Sequence, residues 1–396
     1  MMQALGFTNA NNLQLIQPAV PLPAGTSNAT LWNWLNEIPP AALSQSGGGG
    51  DQFFSDYQAV MSSLTPSQNI DFAGNIGTAA NTAWTTYLGT LTNPPSPTQL
   101  PGMFFNWAFT HGYVSVAEKG SSDLAAMILE PIYRAQLALM PYTAQPNASG
   151  TLVQGQPPNW SLGYSSLVSD LNTAPSKSLS TANVASNSNV SGAWASSSSG
   201  GGFLLWGGGS SSSSSSISAS FASSAVSVSI SFDRVLTFAP VPGNWYDSGA
   251  FGLAYSSQSG SPWNPNGEIT WAKTFGPAGN MQRFTSSLIV VEGMKVTATS
   301  GHAFSSADQT TINNNAGGGF WPFYSSGSSS SFTSSHSFNK AGNLTITQTS
   351  AKGVPTLIGA IVLPAATYLG FSVAGRTRFL NLQAALNSAV LLKAVA

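Results

Sequence analysis

Between residues 226 and 238 the chain alternates apolar and small polar side chains in close register. Val226, Val228, Ile230 and Phe232 hold the even positions, followed by Leu236 and Phe238. Ser227, Ser229, Ser231, Asp233 and Thr237 hold the odd positions, and Arg234 is the break. A period of two is a strand signature, because successive side chains of extended backbone leave on opposite faces. A strand with one apolar and one hydroxyl face has two homes. In a soluble antiparallel sheet the apolar face packs inward and the hydroxyls meet water. In a transmembrane barrel the apolar face meets lipid, and about 9–11 residues suffice to span.

Composition carries the same bias through the chain. Serine accounts for 62 of 396 residues and 48 of these fall in 151–350, while charged residues are only 6%, against about 25% in an ordinary protein. Hydrophobic residues at 42% and aromatics at 11% still suffice for packed cores. A net charge of -1 argues against a nucleic-acid partner held by phosphate contacts. The absence of cysteine removes disulfide scaffolds, zinc–thiolate sites and thiol nucleophiles together. What charge there is divides unevenly. Residues 1–150 hold seven acids and two bases (-5), and residues 151–396 hold six acids and ten bases (+4). Opposite signs help the two parts dock, or copies pack head to tail.

The first 140 residues follow a helical period. Phe53, Phe54, Tyr57, Val60, Met61 and Leu64 form one stripe. Thr65-Pro66 offers a helix start before a second stripe of Ile76, Ala80, Trp84, Tyr87, Leu88 and Leu91. Pro101 opens a third piece with Met103, Phe104, Trp107 and Ala108, and Ser122-Asp123 a fourth running to Leu137 with a kink at Pro131. Short connections between such pieces favour an antiparallel bundle. Trp32 and Trp34 mark a small separate element, joined to it by the glycines at 47–50.

From about Thr143 turn signals replace the helical period, at Pro157-Pro158, Pro242-Gly243, 264–267 and Ala341-Gly342. Ahead of the alternating strand, Ile217, Ala219 and Phe221 sit on odd positions, so the strand reading places a bulge or bend near 222–225. Phe332, Ser334, His336 and Phe338 share one parity, and with Leu344, Ile346 and Gln348 they predict a β-hairpin turning at Ala341-Gly342. The block from Gly200 through Trp206 and a serine run resembles that from Gly317 through Trp321 and a second run, which suggests duplication or two equivalent strands. Residues 353–375 carry no charge, but Pro355 and Pro364 interrupt them. They read as two buried strands, 356–363 and 367–373, rather than a membrane helix. Phe379, Leu382, Leu386 and Val390 then share a helical face.

Chemistry is harder to find. His111, His302 and His336 have no acid or second histidine at ligand spacing, so no metal or cofactor site is expected. No serine lies in a nucleophile-elbow sequence, and the glycine runs lack the phosphate-binding patterns. The densest polar–aromatic cluster is 242–249. There Trp245, Tyr246 and Asp247 could form a sugar-binding loop, or a strand-end turn whose aromatics close the core. Residues 1–19 contain no Lys or Arg, so a Sec signal is not expected. Cytoplasmic residence, or release by lysis or a dedicated secretion system, is.

Long Ser/Thr-rich amphipathic hairpins with few charges and no cysteine resemble the membrane-inserting segments of β-pore-forming toxins. The resemblance covers 210–238 and 328–350. It implies a soluble form that oligomerises and inserts, with Val226, Val228, Ile230, Phe232, Phe332 and Phe338 meeting lipid. The expected fold is α+β. A helical bundle over 1–142 is followed by a Ser/Gly-rich, sandwich-like antiparallel β domain over 143–375 and an amphipathic helix over 376–396. The expected role is non-enzymatic and self-associating: membrane-active, or the structural subunit of a homopolymeric tube, sheet or shell, or in third place a carbohydrate-binding module. The partners are other copies of the chain and a lipid membrane.

Overall fold

The computed structural model describes residues 13–39, 44–45, 52–67, 70–146, 152–153, 155–184, 212–224, 226–315 and 332–371. It is an α+β structure of helices and largely antiparallel sheets. The strands are β1 (Leu13–Pro21), β2 (Ser44–Gln45), β3 (Gln145–Pro146), β4 (Leu152–Val153), β5 (Lys177–Val184), β6 (Val226–Phe232), β7 (Arg234–Phe238), β8 (Arg283–Glu292), β9 (Lys295–Ala303), β10 (Phe332–Phe338), β11 (Asn343–Ser350) and β12 (Thr356–Pro364). One five-stranded sheet has the order β2-β1-β12-β8-β7 and the other β10-β11-β9-β6-β5, while β3 and β4 pair with each other. Only β1 and β2 run parallel among these pairings.

The alternating segment crosses from one sheet to the other. Ser227 opposes Thr299 and Ser231 opposes Lys295 in the β6–β9 pair, while Arg234 opposes Glu292 and Phe238 opposes Leu288 in β7–β8. The offset is the same throughout, so the two pairs form one ladder, folded where Asp233 faces Gly293. The Asp233 amide donates to the Glu292 carbonyl at 2.9 Å. Gly293 has φ +63°, where a side chain is disfavoured, and a Cβ there would overlap the Asp233 carboxylate. Arg234, the break in the pattern, pairs across the ladder with Glu292 at 3.0 Å and with Asn172 at 2.7 Å.

This corner divides the apolar positions between separate cores. Ile230, Phe232 and Val296 of the second sheet meet Val235, Ile289, Val291 and Ile358 of the first in one cluster. Beyond the corner the facing changes, and Phe238, Leu288, Val290, Leu357 and Ala360 pack toward Phe53, Tyr57, Ile132, Trp245 and Phe251. Strand β8 is therefore covered on both sides, which its run SSLIVV records. A third cluster lies within the helices, around Trp84, Phe104, Trp107 and Leu124. The core that includes Phe53 and Trp245 draws on both sides of the expected boundary at 142/143, and β1 lies on the N-terminal side of it.

Several local expectations are corrected. Residues 217–221 are not a strand: Ser212–Ser223 is a helix, with Ile217 and Phe221 buried one turn apart over β9 and β11 residues. Ser218 satisfies its buried hydroxyl on the Ser214 carbonyl at 2.7 Å. The corresponding tail of the second serine block is strand β10, so the two blocks lead into different structures. Thr65-Pro66 starts no helix. The stripe from Ile76 is split by Gly77 (φ +81°) into Phe72–Ile76 and Thr78–Thr90. Pro131 begins a new helix, Pro131–Leu139, capped by Glu130, instead of kinking one that starts at Ser122. After β12, residues Ala365–Tyr368 form a helical turn where a strand was expected. The expected 376–396 helix and the joint at 47–50 lie outside the described residues.

Candidate functional site

The hairpin β10–β11 forms as its parity suggests, with Phe332 opposite Ser350 and Phe338 opposite Leu344. Following the register across the whole second sheet exposes a feature that no single strand carries. Ser337, Thr345, Thr299 and Ser227 lie in one row. Ser335, Thr347, Thr297 and Ser229 form the next. Thr333, Thr349, Lys295, Ser231 and Ser178 form a third. These residues share one face because each is directly opposite its neighbour, and the rows are two residues apart on every strand. All thirteen are exposed or half-exposed, and Lys295 is the single charge among them. Facing hydroxyls already touch, with Thr299 Oγ1 3.0 Å from Thr345 Oγ1 and Thr297 Oγ1 3.4 Å from Thr347 Oγ1. Strand spacing of about 4.8 Å and a same-face repeat of about 6.8 Å make this a regular grid of groups that both donate and accept.

The residues expected to insert into lipid lie on the other face. Val226, Ile230 and Phe232 are buried, Val228 half-buried, and Phe332 and Phe338 pack half-buried at the margins of two cores. Extracting them would take Ile230 and Phe232 from between the sheets and Val226 from the cluster with Ile217 and Phe221.

Trp245, Tyr246 and Asp247 do not form an open loop. Trp245 is fully buried, donates from Nε1 to the Asn159 carbonyl at 2.7 Å, and meets Phe53, Phe54, Tyr57 and Trp160 edge-on. Its indole faces are thus covered by protein, and a sugar has no stacking surface there. Tyr246 packs beside Tyr57 and Phe251. Asp247 caps the helix Ser248–Ser256 through the Ala250 amide at 2.9 Å and accepts a two-pronged contact from Arg134. That contact holds the guanidinium in its charged form, raising its pKa further. The Asp247 amide donates to Tyr57 Oη at 2.8 Å. Burial pushes the Tyr57 phenol well above its ordinary pKa, so it stays neutral. The cluster therefore ties the helices to the β region.

The histidines are dispersed. His111 contacts its own helix end through the Trp107 carbonyl, exposed His302 lies edge-on to Phe304, and His336 contacts Asn313. Among the described residues no three His, Cys, Asp or Glu side chains gather to hold a metal ion. Nor is any helix among them long and apolar enough to cross a membrane. The hydroxyl grid was readable only in part, since the parity of Thr345, Thr347 and Thr349 marks a polar face but not its alignment with β9 and β6. Known protein families, curated proteins and solved structures provide no match to this chain.

Proposed function

We propose that this protein is a non-enzymatic, self-associating subunit of a homopolymeric assembly, and that the hydroxyl face of the second sheet is one of its contacts. The observation that carries the reading is the three-row grid with one charge among thirteen side chains. Hydroxyls are self-complementary, and a face with a single charge gives up little hydration free energy when a second copy covers it. The two sheets, sharing an apolar filling, are read as a sandwich-like β region that keeps the grid stiff.

Size limits what the face does alone. Three rows and five strands span about 14 by 19 Å between outer Cα positions. That is roughly a third of the 800 Å² per partner of a stable interface, so it forms a transient pair unless a second contact acts with it. The charge division, -5 over 1–150 and +4 over 151–396, supplies a head-to-tail attraction that propagates where a face-to-face contact would close. Strand insertion receives less support, since its apolar residues already hold the sheets together.

Negative-stain electron microscopy and sedimentation of the purified chain test this. The expected result is tubes, sheets or shells without lipid. These should be lost in a Thr297→Lys/Thr347→Lys variant of unchanged circular dichroism, and should weaken as salt is raised. Monomers at every concentration, or rings forming only on liposomes, would overturn it.

A further inference from the structure

From Phe72 to Ala117 there is no Asp, Glu, Lys or Arg, a run of 46 residues. The run folds into the helices Phe72–Ile76, Thr78–Thr90 and Leu100–Thr110 around buried Trp84, Phe104 and Trp107. At its tip the packing leaves apolar side chains outside. Phe109 is 60% exposed, Val114 53% and Phe105 39%. The Phe105 and Phe109 rings lie nearly parallel, with centroids 6.5 Å apart, one turn apart on the helix face opposite the core. Beneath them Trp107 stacks with Tyr113 at 5.2 Å and with His111 at 5.4 Å, which stiffens the turn between Leu100–Thr110 and Ala117–Met127.

We propose that this tip docks on the surface of a zwitterionic lipid bilayer, with Phe105, Phe109 and Val114 entering the interface. Charge selects the occupant. The tip has no cation to attract anionic headgroups, and nearby Lys119 is paired with Asp123. It also has no charge to desolvate when it enters the apolar zone. Area argues the same way. Three exposed side chains offer far less than the roughly 800 Å² per partner of a stable protein interface, whereas lipid chains close around individual side chains without a matching groove. Half-buried Tyr113 beside exposed phenylalanines gives the amphipathic aromatic arrangement that suits the headgroup level. This docking uses neither β6 nor the hydroxyl face, so it stands independently of the proposed assembly.

The test is flotation of the full chain through a density gradient with neutral phosphatidylcholine vesicles, alone and with added phosphatidylserine, at low and high salt, since lipid-free assemblies do not float. Binding is expected to neutral vesicles, unaffected by salt and not strengthened by the anionic lipid. A Phe105→Ser/Phe109→Ser variant should bind at least about tenfold more weakly at unchanged melting temperature. Thr297→Lys should bind like the unaltered chain. No binding to neutral vesicles would overturn the proposal, as would binding that needs anionic lipid or binding unchanged by the double substitution. If the double substitution instead abolishes a dimer seen without vesicles, the tip is a contact between copies and the lipid assignment falls.

Discussion

Ile230 and Ser229 are neighbours on opposite faces of β6, and one carboxylate placed at each position tests the whole architecture. Ile230 is 6% exposed and packs with Phe232, Val235, Ile289, Val291 and Val296, whereas Ser229 is exposed on the hydroxyl face. Ile230→Asp forfeits about 2–3 kcal/mol of apolar burial and places a carboxylate where desolvation costs several kcal/mol more. The sum, about 6 kcal/mol or above, rivals the 5–15 kcal/mol total stability of a typical domain, so the variant should not yield folded protein. Ile230→Ala should fold with a loss of about 2–4 kcal/mol. Ser229→Asp, opposite Thr297 and with no acid facing it across the strands, should change stability by less than about 0.5 kcal/mol. Urea unfolding followed by tryptophan fluorescence, together with soluble yield, measures all three. A soluble Ile230→Asp with an unchanged urea midpoint would refute the intersheet core, because it would mean that this face of β6 is open to solvent or lipid.

Two further predictions follow from the corner and from the buried phenols. Gly293→Ala should lower stability by about 1–3 kcal/mol, since the residue keeps φ +63° and its new methyl displaces the Asp233 carboxylate; an unchanged urea midpoint would argue against the folded ladder. Burial raises the phenol pKa of Tyr57 well above the ordinary value of 10 and that of Tyr142 to about 12, so above pH 10 the native state retains protons that the unfolded chain releases. Stability is then full below pH 10 and falls as pH rises, by up to about 3 kcal/mol per pH unit for the pair. In absorbance at 295 nm Tyr57 should ionise only with unfolding and Tyr142 only near pH 12, and titration of all ten tyrosines near pH 10 in the folded protein would contradict their burial.

How much of this was legible depended on whether a signal was local. The helix Phe53–Ser63, the strand Val226–Phe232 and the hairpin β10–β11 follow directly from periods of 3.6 and 2, because the helix, β6 and β11 each bury their own stripe. Residues 217–221 misled because apolar positions at 217, 219 and 221 fit a strand as well as a helix over so short a run. Burial of Ser214 and Ser218 beside Ile217 and Phe221, with Ala219 exposed, decides for helix. The corner was invisible for a different reason. Parity along the chain places Phe232, Leu236 and Phe238 together, yet Phe232 and Val235 share one core while Leu236 and Phe238 pack in the other. Only the long-range pairing of 226–238 with 288–299 produces that switch. The exposed tip has a trace in the sequence: a helix whose stripe of Met103, Phe104, Trp107 and Ala108 satisfies the core has no inward place for Phe105 and Phe109.

The two candidate surfaces share a physical origin in the scarcity of charge. An ordinary protein keeps its outer faces apart from other molecules with lysine, glutamate and arginine, which are costly to desolvate. Here three ion pairs connect described residues. Arg134–Asp247 and Arg234–Glu292 hold elements together, and Lys119–Asp123 lies along one helix. Hydroxyls cover one face of the second sheet and phenylalanines cap the helical tip. The difference between these surfaces separates the partner proposed for each. Hydroxyls in register keep their hydrogen bonds with water or exchange them for a similar array, so their gain is small per residue and depends on repetition. Phenylalanines gain only by leaving water, so two or three suffice. A charge placed on the grid should therefore weaken contact between copies while leaving the tip's binding intact. Serine in place of Phe105 and Phe109 should do the reverse, and a chain in which either substitution removed both activities would have one surface, not two.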